Sequence, residues 1–233
     1  MRVENQNAFV LRTRSYLETS LLVDIFSREY GRVRLVSKGA KRGKSLKSHK
    51  LQPFSELSLS WQGRSELKNL TTLDGGSISL DNPRRLVYGM YLNELLFFLV
   101  GELDAHPYIY DLYSQSLTLL NHTESVELVL RRFEFGLLED LGYGIDFSVD
   151  TNGRQLEREV FYQYQPDLGF IPVSRDIKGA IPGHAIVDIY EHDLGTPLAL
   201  KAAKMVCKTQ INLLLNGREL QSRKWHTVHS TAK

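Results

Sequence analysis

From residue 7 the chain sets short apolar runs between polar breaks: NAFVLRTR (7–14), TSLLVDIFS (19–27), GRVRLVSK (31–38), FSELSLSW (54–61) and ELKNLTTL (66–73). Each run is short, rich in β-branched or aromatic residues, and bounded by Gly, Glu/Ser or Pro punctuation, which predicts five strands. In the third, a period of two puts Val33 and Leu35 on one face and Arg32, Arg34 and Lys38 on the other, so an apolar and a basic face alternate. In the fourth, Leu57, Leu59 and Trp61 share a face. Five short strands with a longer connection after the third suit a small Greek-key barrel of the OB type.

Beyond Gly75-Gly76 the period changes from two to that of a helix. Asn82-Pro83 is a helix start leading into RRLVYGMYLNELLFFLVGEL, and a second helix is expected over residues 107 to 120. From Ser125, residues Val126, Leu130, Phe133, Leu137 and Leu141 recur at helical spacing, with Gly142 as the stop. Residues 145 to 182 (including EVFYQYQPDLGFIPV) read as a β-containing excursion, and a last helix opens at Thr196-Pro197 and runs to Gly217. The expected fold is α+β: an OB-fold β-barrel over residues 1–78, then a mainly α-helical domain over 79–233 with the small excursion.

Charge changes this picture more than composition does. With 42% hydrophobic residues the chain can bury a core, and the net charge is only +2. Eight basic residues nevertheless lie between Gly31 and Lys50 with no acid among them, leaving the rest of the chain net acidic. So local a positive field is expected of a surface that meets a polyanion. Part of this segment, SKGAKRGKS, imitates a nucleotide-triphosphate loop, but Gly39 and Gly43 enclose three residues where the loop needs four. LKSHKLQP follows in place of an apolar-periodic helix, so the ATPase reading is rejected. The phosphate-contact candidates are Arg32, Arg34, Lys38, Lys41, Arg42, Lys44 and Lys47, because neutralising several phosphates at once releases their counterions. Tyr30, Phe54 and Trp61 are candidates for base stacking, with Trp61 carried forward as a DNA-binding residue. Phe54 and Trp61 lie on opposite faces of one strand, so one of the two belongs to the core.

Other chemistry finds little support. The seven histidines show neither HExxH nor a cysteine–histidine spacing, and no metal or cofactor is expected. Cys207, the single cysteine, is read as a packing residue, and no carboxylate pair stands out for acid–base or two-metal chemistry. Gly142-Tyr143-Gly144 is a helix stop. No signal core and no membrane-spanning run are present, which with the lone cysteine points to the cytoplasm. The end of the chain, SRKWHTVHSTAK, reads as a loose tail whose Arg223 and Lys224 are further cations.

The order AFVLRTRSYLETSLLVDIFSREYGRVRLVSKGAKR, LQPF, YLNELL and LRRFEFGLLEDLGYG resembles the bacterial RecO recombination-mediator and DNA-repair proteins over essentially the whole chain. The resemblance implies an OB-fold N-terminal domain, a helical C-terminal domain, and binding and annealing of single-stranded DNA without enzymatic turnover. It also implies cooperation with RecR in loading RecA onto strands coated by single-stranded DNA-binding protein, and a nucleoid-associated location. At the RRFE position, Arg131 and Arg132 would flank a pocket for that protein's acidic, phenylalanine-ended tail, where guanidinium groups could fork onto the terminal carboxylate. Read from the helix alone, both are surface arginines, Arg131 with Glu127 as a weak ion-pair partner. Some members hold a structural zinc with four cysteines in the excursion. Residues 143–183 here contain none, so the aromatics Phe147, Phe161, Tyr162, Tyr164 and Phe170 are expected to hold it if it is ordered. An RNA-binding OB module, a nuclease or NTPase, and a protein-interaction scaffold stand as the rival readings.

Overall fold

The computed structural model describes residues 2–41 and 46–224. Two compact units divide it: one runs to Thr123 and takes up the chain again at Leu220, and the other is Glu124–Glu219. In the first, β1 (Arg2–Tyr16), β2 (Ser20–Ser27), β3 (Gly31–Ser37), β4 (Ser55–Gln62) and β5 (Leu67–Ile78) close into a barrel ordered β1-β2-β3-β5-β4. All neighbours are antiparallel except β3 with β5. The connection from β3 to β4 carries a short helix, α1 (Leu46–Lys50).

β1 and β5 extend to 15 and 12 residues, longer than the alternation alone indicates. The register slips between Val10 and Arg12 and between Val3 and Gln6 on β1, and β4 slips against β5 between Ser60 and Trp61. Each irregularity resets which side chains face inward, so a strict period of two cannot follow the strand through it. Inside the barrel, Val10, Val23, Ile25, Val33, Leu35, Leu57 and Leu59 form the core. Gly31 turns β2 into β3 with φ +63°, and a Cβ there would lie 1.7 Å from the Asp104 carbonyl oxygen, so only glycine fits.

β2 is buried along its whole length, because helices cover the barrel's outer face as well. α2 (Leu86–Leu99) and α3 (Pro107–His122) pack here, with Phe9 ring centroids 5.1 Å from Tyr110 and 5.0 Å from Tyr113. α2 starts after a turn in which Asn82 Oδ1 accepts from the Arg84 N–H at 3.1 Å. Asn93, buried on α2, donates to the Leu11 carbonyl at 2.8 Å and accepts from the Tyr113 hydroxyl. Asn93→Leu removes the amide from both of these buried bonds, and urea denaturation should report a loss of about 2–3 kcal/mol. A loss below about 0.5 kcal/mol would show that water replaces the amide. One residue on, Glu94 accepts from the Gln221 and Ser222 N–H groups at 3.0 and 2.9 Å and from Ser222 Oγ at 2.5 Å, anchoring the returning chain.

The second unit contains α4 (Val126–Asp140), β6 (Phe161–Gln165), β7 (Gly169–Val173), β8 (Ile181–Pro182), α5 (Gly183–Tyr190) and α6 (Pro197–Leu215), the strands ordered β7-β6-β8. α6 keeps its sequence-signalled ends: Thr196 Oγ1 accepts from the Ala199 N–H at 3.1 Å, Pro197 follows, and Asn216 takes the left-handed conformation. The excursion is ordered around aromatics. Phe170 is fully buried and lies 5.5 Å from Phe147 and 5.2 Å from Tyr164, centroid to centroid. Buried Tyr162 accepts from the Glu157 N–H at 2.9 Å, and Tyr164 donates to Gln210 Oε1 at 2.7 Å. Phe161 lies beneath the Arg175 guanidinium. The whole is an α+β fold in which a five-stranded OB-like barrel precedes a helical region with a small sheet. Among the described residues no helix is long and apolar enough to cross a membrane.

Candidate nucleic-acid interface

The β1–β2 turn, the end of β3 and the start of β5 enclose an open groove of about 690 Å³. Tyr16 and Leu17 line it from the turn, Lys38 and Gly39 from the exit of β3, and Ser65 and Asn69 from the β4–β5 side; no lining side chain is acidic. A second hollow of about 410 Å³ shares Asn69 and adds Arg2, Gln62, Gly63 and Arg64. OB barrels take oligonucleotides between the β1–β2 and β4–β5 loops, where the first hollow lies, with the second on the far side of the β4–β5 loop beside the start of β1. Lys38 and Arg64 are exposed, with no acidic partner among the described residues. The basic segment leaves β3 at this groove. Its Lys41 N–H donates to the Thr19 carbonyl at 3.0 Å and Lys41 Nζ to the Leu17 carbonyl at 3.4 Å, which ties it to the β1–β2 turn. Lys47 is exposed on α1, while Arg42 and Lys44 lie outside the described residues.

Arg32 and Arg34 stand apart from this set. They do share the face of β3 opposite Val33 and Leu35, but acids already occupy that face. Asp24 on β2 sits in register with both Arg12 and Arg34. Wholly buried, it accepts from Arg34 Nε at 2.9 Å and from the Arg12 guanidinium at 3.2 Å. Glu102 accepts from Arg32 at 3.2 Å and pairs with Arg34 at 3.3 Å. The Arg12 and Arg32 guanidiniums also lie 3.9 and 4.8 Å from the Phe97 ring centroid. For Arg32 the cost of burial outweighs these acids and lowers its pKa, whereas the Asp24 hydrogen bond raises that of Arg34. Both arginines thus hold the barrel wall, correcting their assignment as phosphate contacts. Asp24→Asn removes the charge that Arg12 and Arg34 share. Because Arg12 and Arg34 can turn toward water, the expected loss is about 2–3 kcal/mol in urea denaturation, and a loss below about 0.5 kcal/mol would mean that solvent already screens the row.

The aromatic candidates are corrected too. Trp61 is fully buried in the barrel core, 5.5 Å edge-on from Tyr30, and Phe54 is 4% exposed. Neither Trp61 nor Phe54 offers a ring face to a base, and Tyr30 packs against the same core. The aromatic on the groove is half-buried Tyr16. It was missed, with Leu17, Arg64 and Asn69, because none belongs to a charge run. The available signal was the hairpin break SYLETS, which sets the first OB-fold loop.

In the second unit, Arg131 is 5% exposed and its guanidinium meets the buried Glu134 carboxylate at 2.6 Å. Glu127 pairs with Lys204 at 2.9 Å. Arg131 is therefore an interior residue with no face for a partner's tail, whereas Arg132 is exposed. Cys207, buried on α6, has its thiol pushed well up, first by burial and then by the Glu134 carboxylate. Among the described residues no group of three or more His, Cys, Asp or Glu is placed to hold a metal ion.

Residues 1–77 match the family model described as "Recombination protein O N terminal", and residues 80–178 match "Recombination protein O C terminal". The DNA repair protein RecO of Pseudomonas aeruginosa (strain UCBPP-PA14) is 40% identical over 219 residues, covering 94% of this chain and 92% of that protein. That of Alteromonas mediterranea is 39% identical over 228 residues, 96% of this chain and 97% of the relative. The Thiobacillus denitrificans protein is 34% identical over 232 residues, 95% and 91% of the two chains.

Proposed function

The chain belongs to the RecO family, with a role in DNA repair and recombination, and on that premise we propose that it is a non-enzymatic mediator that binds single-stranded DNA and anneals complementary strands. The observation that carries this reading is the groove between the OB-fold loops, with no acid among its lining side chains, bordered by Lys38, joined by the basic segment through Lys41, and neighboured by Arg64 in the adjoining hollow. Cations at this groove hold one phosphate backbone, release its counterions and leave the bases free to meet a second strand. Screening two polyanions from each other is the chemical step, so no bond need be made or broken. In the same reading the protein works with RecR to load RecA onto strands coated by single-stranded DNA-binding protein. Arg132, the exposed member of its pair, is the candidate contact for that protein's acidic tail.

The test is the anisotropy of a labelled single strand between 50 and 200 mM salt. On single strands each phosphate contact contributes about 0.7 to the slope of log affinity against log salt. The variant Lys38→Gln/Lys41→Gln/Lys47→Gln should therefore lose about 2 from that slope and bind about tenfold or more weakly. Equal slopes in native and variant chains would remove the groove from the reading. An RNA strand of equal sequence that competes better than DNA would move the function to RNA.

A further inference from the structure

The tip of the β1–β2 hairpin carries a feature that neither the barrel nor its charges require. Leu17 is 74% exposed, more so than any other large apolar side chain among the described residues. Its φ is +51°, a left-handed conformation that Gly or Asn takes readily and a leucine does not. A turn selected only to close the Tyr16–Ser20 strand pair would place Asn or Gly there. Instead the turn keeps a leucine in water, its carbonyl held by Lys41 Nζ and its side chain lining the groove next to Tyr16 and Lys38. Strained backbone of this kind is a reason to look for a function.

We propose that Leu17 is an unstacking wedge: with a single strand in the groove, its side chain enters between two adjacent bases while Tyr16 stacks against one of them. The groove sets Leu17, Val36 and Leu67 beside the cation Lys38, and the part of a bound strand that offers apolar surface to Leu17 is the face of a base. Leucine is among the residues that separate base steps in this way, and stacking on a tyrosine ring tolerates any base. The ligand class is a single strand with its bases spread apart, a state in which self-paired hairpins cannot persist and complementary bases are exposed. This inference rests on the single-strand reading of the same groove.

The experiment uses the full chain and a single strand with one 2-aminopurine between adenines, whose fluorescence rises on unstacking. Native protein at saturation should raise the signal severalfold. Leu17→Asn, read at its own saturation, should keep the native salt slope, bind severalfold more weakly, give a clearly smaller rise, and melt at the same or a higher temperature, because Asn relaxes the turn. The same rise in both proteins overturns the wedge and leaves the groove's strand binding intact. A smaller rise joined to a lower melting temperature also overturns it, since Leu17 would then be a structural residue. Failure of the native chain to bind, read separately by anisotropy, overturns both readings.

Discussion

Glu134→Ala should destabilise the Glu124–Glu219 unit by about 3–5 kcal/mol, measured by urea denaturation and by hydrogen exchange of α4 and α6 amides. The carboxylate is 1% exposed and faces the guanidinium of an arginine only 5% exposed. Removing it leaves Arg131 charged, still away from water, and without its counter-charge. The cost comes from that stranded cation and does not equal the strength of the pair. A double variant makes the distinction: Arg131→Met/Glu134→Leu fills the same volume without charge and should be neutral or more stable by about 1–4 kcal/mol. A cost below about 1 kcal/mol for Glu134→Ala would mean that water reaches Arg131. That result would reopen Arg131 as a contact for an acidic tail. Strand binding should change in neither variant, since the pair lies outside the groove.

Trp61→Ala should cost about 3–5 kcal/mol, the range for deleting a large aromatic from a packed interior. Trp61 has no exposed surface, and its cross-strand partners Val3 and Leu70 belong to strands of a closed barrel that cannot collapse into the void. Trp61→Phe is the informative companion. The indole Nε1 has no hydrogen-bond partner among the described residues, so phenylalanine removes an unsatisfied donor together with some volume, and the net loss should stay below about 1.5 kcal/mol. Both follow from urea denaturation monitored by circular dichroism. If Trp61→Ala instead left stability intact and cut affinity for a single strand, Trp61 would be a stacking residue and its core placement would be wrong.

These residues show where sequence reading reaches and where it stops. The barrel was legible because Val33, Leu35, Leu57 and Leu59 alternate with polar neighbours, and α6 because Thr196-Pro197 and Asn216-Gly217 punctuate it. Alternation sorts side chains into two faces but does not say what covers the second. Arg32 and Arg34 sit where the period puts them, against a glutamate 70 residues away from Arg32 in sequence and an aspartate from the neighbouring strand. A lone acid inside SLLVDIFS, flanked by strands bearing arginines, was the clue available. Arg131 failed for a related reason: helical spacing finds the apolar stripe, whereas α4 is buried well beyond its stripe, with Arg131, Glu134 and Leu138 also inside. α5 is too short, at 8 residues, for its period to stand out. Tyr16 and Leu17 carry no pattern, and only the closed hairpin places them on the groove.

The anchorage at Glu94 bears on the order in which the chain acquires its structure during synthesis. Glu94 leaves the ribosome early, yet its hydrogen-bond donors at Gln221 and Ser222 are encoded 127 and 128 residues later. At about 5–20 residues per second they follow some 6–25 s behind. The barrel-bearing unit therefore cannot finish when its own strands and helices have emerged, for the whole of Glu124–Glu219 must be translated first. During that interval Glu94 lacks these donors, and the nascent barrel is held by its strands and by α2 and α3 alone.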